Sequence, residues 1–248
     1  MKSLDFKLSE SKTIYFYGKS LWKGKENLID ISTDKNHIDY LIFMDSRGFC
    51  GPLKSSLVGR IIVELKNRSK SYLIIIRPLE LTIWATLYNF YILNNFKFSN
   101  LITNMGFVDF TPKKKSICED SLKQITKAIG YGEANAKSVE FTKNIDNQDL
   151  ELFIIEYSKK YKLMAEKIVK KQRTIILNTP EINKNISIER VRPNSFFKGL
   201  SLGNTFNRNL SNATIIEPGT FNKSHTYDAV HYTPLGSKKI FAQLKEVL

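Results

Sequence analysis

The sequence predicts an α/β protein: a three-layer sandwich with a central, mainly parallel sheet flanked by helices. Three observations carry this. Short apolar runs rich in Ile and Leu, each the length of a buried strand, recur between residues 38 and 217. Between them lie stretches whose apolar residues return every three or four positions, and strands alternating with helices build a parallel sheet covered on both faces. With 248 residues, 42% of them hydrophobic, the chain can close a core of that size.

The elements follow in order. Residues 1–37 hold one strand, Thr13–Tyr17, and read as an N-terminal extension; residues 38–248 form the main domain. Gly18-Lys19-Ser20 is similar to the end of a phosphate-binding loop but lacks that motif's earlier glycine. The first sheet strand is Ile38–Met44, ending in Asp45-Ser46-Arg47-Gly48, and a helix carrying Leu53, Leu57, Ile61, Ile62 and Leu65 follows. The second strand, Tyr72–Ile76, stops at Arg77-Pro78, and the aromatic-rich segment 79–96 is a buried helix. The third strand is Asn100–Asn104, turning at Met105-Gly106. A polar loop with Lys113, Lys114 and Lys115 leads to a short helix over 120–129. Residues 149–172 read as one long amphipathic helix, with Leu150, Phe153, Ile154, Tyr157, Tyr161, Met164 and Ile168 inside and six lysines outside. The fourth strand is Thr174–Asn178, the polar stretch 179–210 reads as a functional loop or cap, and the fifth strand is Ala213–Glu217. A final helix carries Ile240, Phe241, Leu244 and Val247.

Charge and cysteines narrow the function classes. Lys and Arg number 38 against 24 Asp and Glu, a net charge of +14 that attracts polyanions. No helix-turn-helix, RNA-recognition or zinc-finger pattern accompanies it, so specific nucleic-acid recognition is not expected. Cys50 and Cys118 cannot make a disulfide framework, and three histidines at unrelated spacings do not meet the requirements of a zinc site, so no metal is expected. The N-terminus lacks the apolar run of a secretory leader, and residues 79–93 are too short and too interrupted to span a bilayer. The expectation is a cytoplasmic protein without a transmembrane segment, at most peripheral at the inner membrane.

Parallel sheets gather chemistry at the carboxyl ends of their strands. Ser46 follows the first sheet strand, where a serine hydroxyl can attack an acyl carbonyl while its own amide donates to the developing oxyanion. Asp228 and His231 follow the last strand, and a carboxylate three residues before a histidine can hold the imidazole in the tautomer of a general base. Ser46, Asp228 and His231 are therefore the candidate catalytic residues. Arg47 and Arg77 also follow strands and are candidates to meet an anionic substrate group. His225 lacks a carboxylate neighbour, and His37 precedes the sheet.

This pattern resembles the SGNH (GDSL) hydrolase superfamily. The first block of that family, a strand followed by Gly-Asp-Ser, is matched by Met44-Asp45-Ser46, with Met in place of Gly. Its last block, Asp-x-x-His-Pro-x-x-x-Gly, is matched by Asp228-Ala229-Val230-His231-Tyr232-Thr233-Pro234-Leu235-Gly236. The Gly-x-Asn-Asp block, whose Asn donates to the oxyanion, is best matched by Gly106-Phe107-Val108-Asp109, with Val108 at the Asn position. Its donors are left to Ser46, Gly106 or Asn104. The glycine of the second block falls near Arg77-Pro78-Leu79 and has no counterpart. The likeness covers residues 38–248 and implies a Ser46–His231–Asp228 triad acting on esters.

Within that superfamily the setting resembles capsule polysaccharide O-acetyltransferases: no leader, a basic surface, and no large apolar lid. The likeness implies transfer of acetyl from acetyl-CoA, as substrate with no bound cofactor, to hydroxyls of an anionic bacterial polysaccharide. The alternatives are a carbohydrate or carboxyl esterase and a non-catalytic polyanion-binding module.

Overall fold

A computed structural model describes residues 13–16, 27–30, 37–50, 52–77, 83–94, 97–143, 149–182 and 192–248. Strands β1 (Thr13–Phe16) and β2 (Asn27–Asp30) pair antiparallel in the N-terminal region. Then follow β3 (His37–Asp45), α1 (Leu57–Asn67), β4 (Tyr72–Arg77), α2 (Ile83–Asn94), β5 (Lys97–Thr103), the short α3 (Phe107–Phe110) and α4 (Lys115–Ile129). Next come β6 (Ala134–Lys143), β7 (Asp149–Tyr157), α5 (Lys159–Val169), β8 (Arg173–Leu177) and β9 (Glu181–Ile182). The chain closes with α6 (Asn194–Arg208), β10 (Ala213–Ile216), β11 (Thr220–Phe221) and α7 (Pro234–Lys245). Gly18-Lys19-Ser20 and Pro78-Leu79 lie outside the described residues.

The central sheet has the order β10-β8-β5-β3-β4 and is parallel throughout. Connectivity steps outward from β3 to β4, then returns past β3 to β5. The carboxyl ends of β3 and β5 therefore flank the switch point, where open α/β sheets leave a crevice. Two apolar layers confirm the sandwich. Tyr40, Ile42, Met44, Tyr72, Ile74 and Ile76 pack with Leu57, Ile61 and Leu65 of α1 and Ile240 and Leu244 of α7. Leu41, Phe43, Leu73 and Ile75 face Trp84 of α2, Ile125 of α4 and Met164 and Ile168 of α5.

Since β3 is apolar on both faces, alternation alone cannot set its register. Polar ties at its two ends do. Asp39 accepts the Ser71 N–H at 2.8 Å and its hydroxyl at 2.9 Å, while the Asn100 amide donates to the Asp39 carbonyl at 2.9 Å. At the other end the Asp45 N–H donates to Asn104 Oδ1 at 2.9 Å, and Asn104 Nδ2 donates to Asp45 Oδ1 at 2.9 Å.

Two expectations are corrected. Residues 149–172 are not one helix: 149–157 form β7, paired antiparallel with β6, and only 159–169 are helical. Leu150, Phe153, Ile154 and Tyr157 satisfy a helical period, but a strand partner upstream supplies the hydrogen bonds that decide the matter. Ser158 ends the ambiguity locally by capping α5, its hydroxyl accepting the Lys160 N–H. The lysine face of α5 is partly neutralised, with Lys160 on Glu133 and Lys162 on Glu166.

The polar stretch 179–210 is likewise no simple loop, because α6 occupies its second half. This helix buries Gly199 and Gly203 against the chain around α3. A Cβ on Gly203 would stand 2.5 Å from the Gly106 carbonyl oxygen, and one on Gly199 2.4 Å from that of Phe110. Phe196 and Leu200 are buried beside these glycines, and the glycines together with Asn204 and Asn207 dilute the apolar period of the helix. Asn204 exchanges two 2.9 Å hydrogen bonds with the Thr179 backbone, tying α6 to the end of β8.

Candidate active site

Ser46 opens a single 3-10 turn, Ser46–Gly48, at the end of β3, while α1 starts only at Leu57 with Ser56 as its cap. Asp45 shapes the turn: its carboxylate accepts the Arg47 N–H at 2.9 Å and is held from the side by Asn104. Ser46 is thereby presented at the switch point on a backbone fixed by two neighbouring strands.

The 225–233 loop delivers the other two groups. Thr226 and Tyr232 form an antiparallel bridge, the Tyr227 N–H donates to the His231 carbonyl at 2.9 Å, and Thr226 Oγ1 donates to the same carbonyl at 3.0 Å. Within the closed loop Asp228 Oδ1 accepts the N–H groups of Val230 at 3.1 Å and His231 at 2.8 Å. Ala229 takes a left-handed φ of 69° to allow this. Downstream, Thr233 caps α7 by accepting the Gly236 N–H, with Pro234 in the first turn.

The result is a relay of three side chains. Ser46 Oγ lies 3.3 Å from His231 Nε2 across a sequence separation of 185 residues. His231 Nδ1 lies 3.1 Å from Asp228 Oδ2 and 3.2 Å from Oδ1. Burial works to raise the Asp228 pKa, but the His231 ring and amide donors, with the Arg192 guanidinium, outweigh it and hold the carboxyl well below its ordinary value. It stays ionised at neutral pH, and that charge fixes Nδ1 as the protonated nitrogen and leaves Nε2 to accept from the serine.

Cys50 lies close by, its thiol donating to the Ser46 carbonyl at 3.1 Å. Burial pushes that thiol up to about 12, so it is protonated at neutral pH and does not compete as a nucleophile. Tyr232, next to the histidine, is fully buried beside the Asp45–Arg47 pair, and burial pushes its phenol up to about 12 as well. It anchors the loop to the strand end that carries Ser46.

Arg47, Asn104 and Gly106 are engaged with the framework. Arg47 does not face a substrate: it is 1% exposed, salt-bridged to Asp45 at 2.7 Å, and bonded to Thr179 and the Asn104 carbonyl. Arg77 ends β4 in register with Asp45. Asn104 is fully buried with its amide engaged on Asp45, and the Gly106 N–H is directed to Asp109 Oδ2 at 3.3 Å. Both are tied to the framework behind the serine. Val108 is buried. His225 leans on Phe221, its pKa lowered by burial and by Lys239, away from the relay.

One residue the sequence reading missed belongs here. Arg192 Nη2 lies 2.9 Å from Asp228 Oδ2, and its Nε and Nη2 donate to the Asp228 carbonyl at 3.2 and 2.9 Å. An arginine in a polar stretch, two residues after Arg190, carries no sequence signal for this. Among the described residues no cluster of His, Cys, Asp or Glu could hold a metal ion, and no helix is long and apolar enough to cross a membrane.

No protein-family model matches the chain, and no curated protein matches it either. Solved structures do. The chain is similar to an acetyl xylan esterase, AlAXEase, at 11% identity and a TM-score of 0.46, covering 84% of this chain and 99% of that one. It is similar to Axe2, an acetylxylan esterase from Geobacillus stearothermophilus, at 11% identity and a TM-score of 0.44, covering 84% and 93%. It is also similar to BT4096, a gut microbial diltiazem-metabolizing enzyme, at 11% identity and a TM-score of 0.47; there it covers 85% of its own length but spans only 46% of the other chain.

Proposed function

We propose that this protein is a serine-dependent acyl-transfer enzyme of the SGNH type, with Ser46 as nucleophile, His231 as general base and Asp228 as its orienting carboxylate. The observation that carries the reading is the relay itself: Ser46 Oγ 3.3 Å from His231 Nε2, and His231 Nδ1 3.1 Å from Asp228. The resemblance of residues 44–46 and 228–236 to the first and last family blocks supports it.

Each step of the mechanism returns its proton. His231 Nε2 takes the Ser46 hydroxyl proton as Oγ attacks an acyl carbonyl, and the negative charge collects on the carbonyl oxygen. The Ser46 N–H is the donor best placed to meet that charge. As the tetrahedral species collapses, the imidazolium gives its proton to the leaving thiol or alcohol, and acyl-serine remains. An acceptor hydroxyl then loses its proton to the same nitrogen, attacks the acyl-serine, and the proton returns to Ser46. Positioned proton transfer of this kind contributes about 10²–10⁴ in rate.

The finer reading is an O-acetyltransferase that takes acetyl from acetyl-CoA in the cytoplasm and places it on hydroxyls of an anionic, capsule-type polysaccharide. The net charge of +14 supports an anionic acceptor. Water in the acceptor's place makes the same site an esterase. Incubation with acetyl-CoA and acidic glycans, read by mass spectrometry, separates the two. The transferase reading requires glycan-dependent release of free CoA and one acetyl gained per modified sugar. An esterase cleaves an aryl acetate and deacetylates glycans instead. Salt-dependent glycan binding with neither reaction would reduce the chain to a polyanion-binding module.

A further inference from the structure

Arg192 sits just ahead of α6 with its guanidinium turned inward, and it is only 11% exposed at the side chain. It grips Asp228 at two points, the carboxylate and the backbone carbonyl. Its flat face lies 4.9 Å from the Phe196 ring centre. Phe196 packs edge-on against Phe107 at 5.5 Å, and Phe107 in turn lies 4.5 Å from the guanidinium carbon of Arg47, beneath the Ser46 turn. The start of α6 is pinned independently, since Glu140 of β6 accepts from the Ser195 N–H at 3.2 Å and hydroxyl at 2.6 Å. Arg192 therefore joins the acid end of the relay to the frame that carries its nucleophile.

We infer that Arg192 is a positioning residue of the acyl-transfer site, gripping the carboxylate and backbone carbonyl of Asp228 so that the carboxylate stays against His231. This rests on the acyl-serine reading above. Arg192 Nη2 and His231 Nδ1 meet the same oxygen, Asp228 Oδ2, at 2.9 and 3.1 Å, so the guanidinium fixes the place of the atom that orients the imidazole.

The other titratable and charged groups facing this pair among the described residues do not take that role. Asp45 and Arg47, behind Ser46, compensate each other in a buried ion pair. The Cys50 thiol and the Tyr232 phenol are both neutral at physiological pH. His225, on the same loop, stacks away on Phe221. Arg192 is the group whose removal changes the charge against Asp228.

The experiment compares Arg192→Met, which keeps the stem and removes the charge, with Arg192→Lys, which keeps the charge. The kcat and KM for an aryl acetate are read in each variant beside its melting temperature. The expected result is a kcat lowered roughly tenfold with KM nearly unmoved in R192M, and most of that loss recovered in R192K. An unchanged kcat in R192M, or equal losses in R192M and R192K, overturns the inference, since a purely packing role does not follow the charge. Mass detection of acyl-serine on the wild-type protein tests the parent reading separately. Absence of the adduct sinks the reading, whereas an adduct that R192M forms at the wild-type rate sinks the clamp alone.

Discussion

A side chain on Gly236 would collide with His225: an added Cβ would stand 2.1 Å from the His225 carbonyl oxygen and 3.0 Å from the Phe221 ring. The same carbonyl accepts the Thr233 N–H at 3.0 Å, so the first turn of α7 is seated directly on the loop that carries Asp228 and His231. Replacing Gly236 by Ala must push helix and loop apart. The expected cost is about 1–3 kcal/mol, read as a lower urea midpoint, with slower reaction of Ser46 towards a fluorophosphonate probe. Unchanged stability together with unchanged labelling would show that the helix seat does not hold the relay.

Ser46→Ala and His231→Ala should each abolish acyl-enzyme formation while the near-ultraviolet spectrum and melting temperature stay close to those of the parent, because neither side chain fills the core. Mass spectrometry of protein quenched with an aryl acetate reads the adduct directly. Full activity in Ser46→Ala assigns the nucleophile elsewhere.

Arg47 and Asp45 form a buried ion pair at the switch point. Removing one partner leaves the other charged and uncompensated, at a cost of about 3–5 kcal/mol. Arg47→Met should therefore be markedly destabilised, and the double variant Asp45→Asn/Arg47→Met should recover part of the loss. Denaturant melts of the two single variants and the double close the cycle, and additive losses would show that the two side chains do not act as a pair.

The Asp228 carboxyl is depressed in the folded protein. A depressed carboxylate contributes stability that is present above its unfolded pKa, about 3.9, and is lost as pH falls from there towards the folded value. The wild-type urea midpoint should fall in that acid range more steeply than that of Asp228→Asn, with the two curves parallel near neutral pH. Parallel curves throughout would mean that the carboxyl is not held low.

Cys50 should resist a thiol reagent at pH 8 in the folded protein and react on unfolding, because burial keeps the thiol protonated. Rapid native labelling, located by peptide mapping, would contradict the packing described beneath Ser46.

Residues 38–44, 72–76, 100–104, 174–178 and 213–217 announce themselves as buried strands by continuous apolar runs, and the sheet contains each within a few positions. Asp228, His231 and Ser46 are legible because short-range chemistry marks them: a carboxylate three residues from an imidazole, and a serine at a strand end. The 149–157 segment is not legible in this way, since its apolar residues fit two periods and only the β6 ladder chooses between them. Arg192 and α6 were hidden for a related reason. In α6 Gly199, Gly203, Asn204 and Asn207 share the buried face with Phe196 and Leu200 and dilute its apolar period, and an arginine gains meaning only from the carboxylate it meets 36 positions later.

By itself, then, the sequence determined the fold class and marked Ser46, Asp228 and His231 as candidates, because burial and local spacing act along the chain. Tertiary structure alone decided which face each group meets, that Arg47 and Asn104 serve the framework, and that Arg192 holds the acid. Those outcomes depend on close approaches between distant backbones and on which partner reaches a buried charge first.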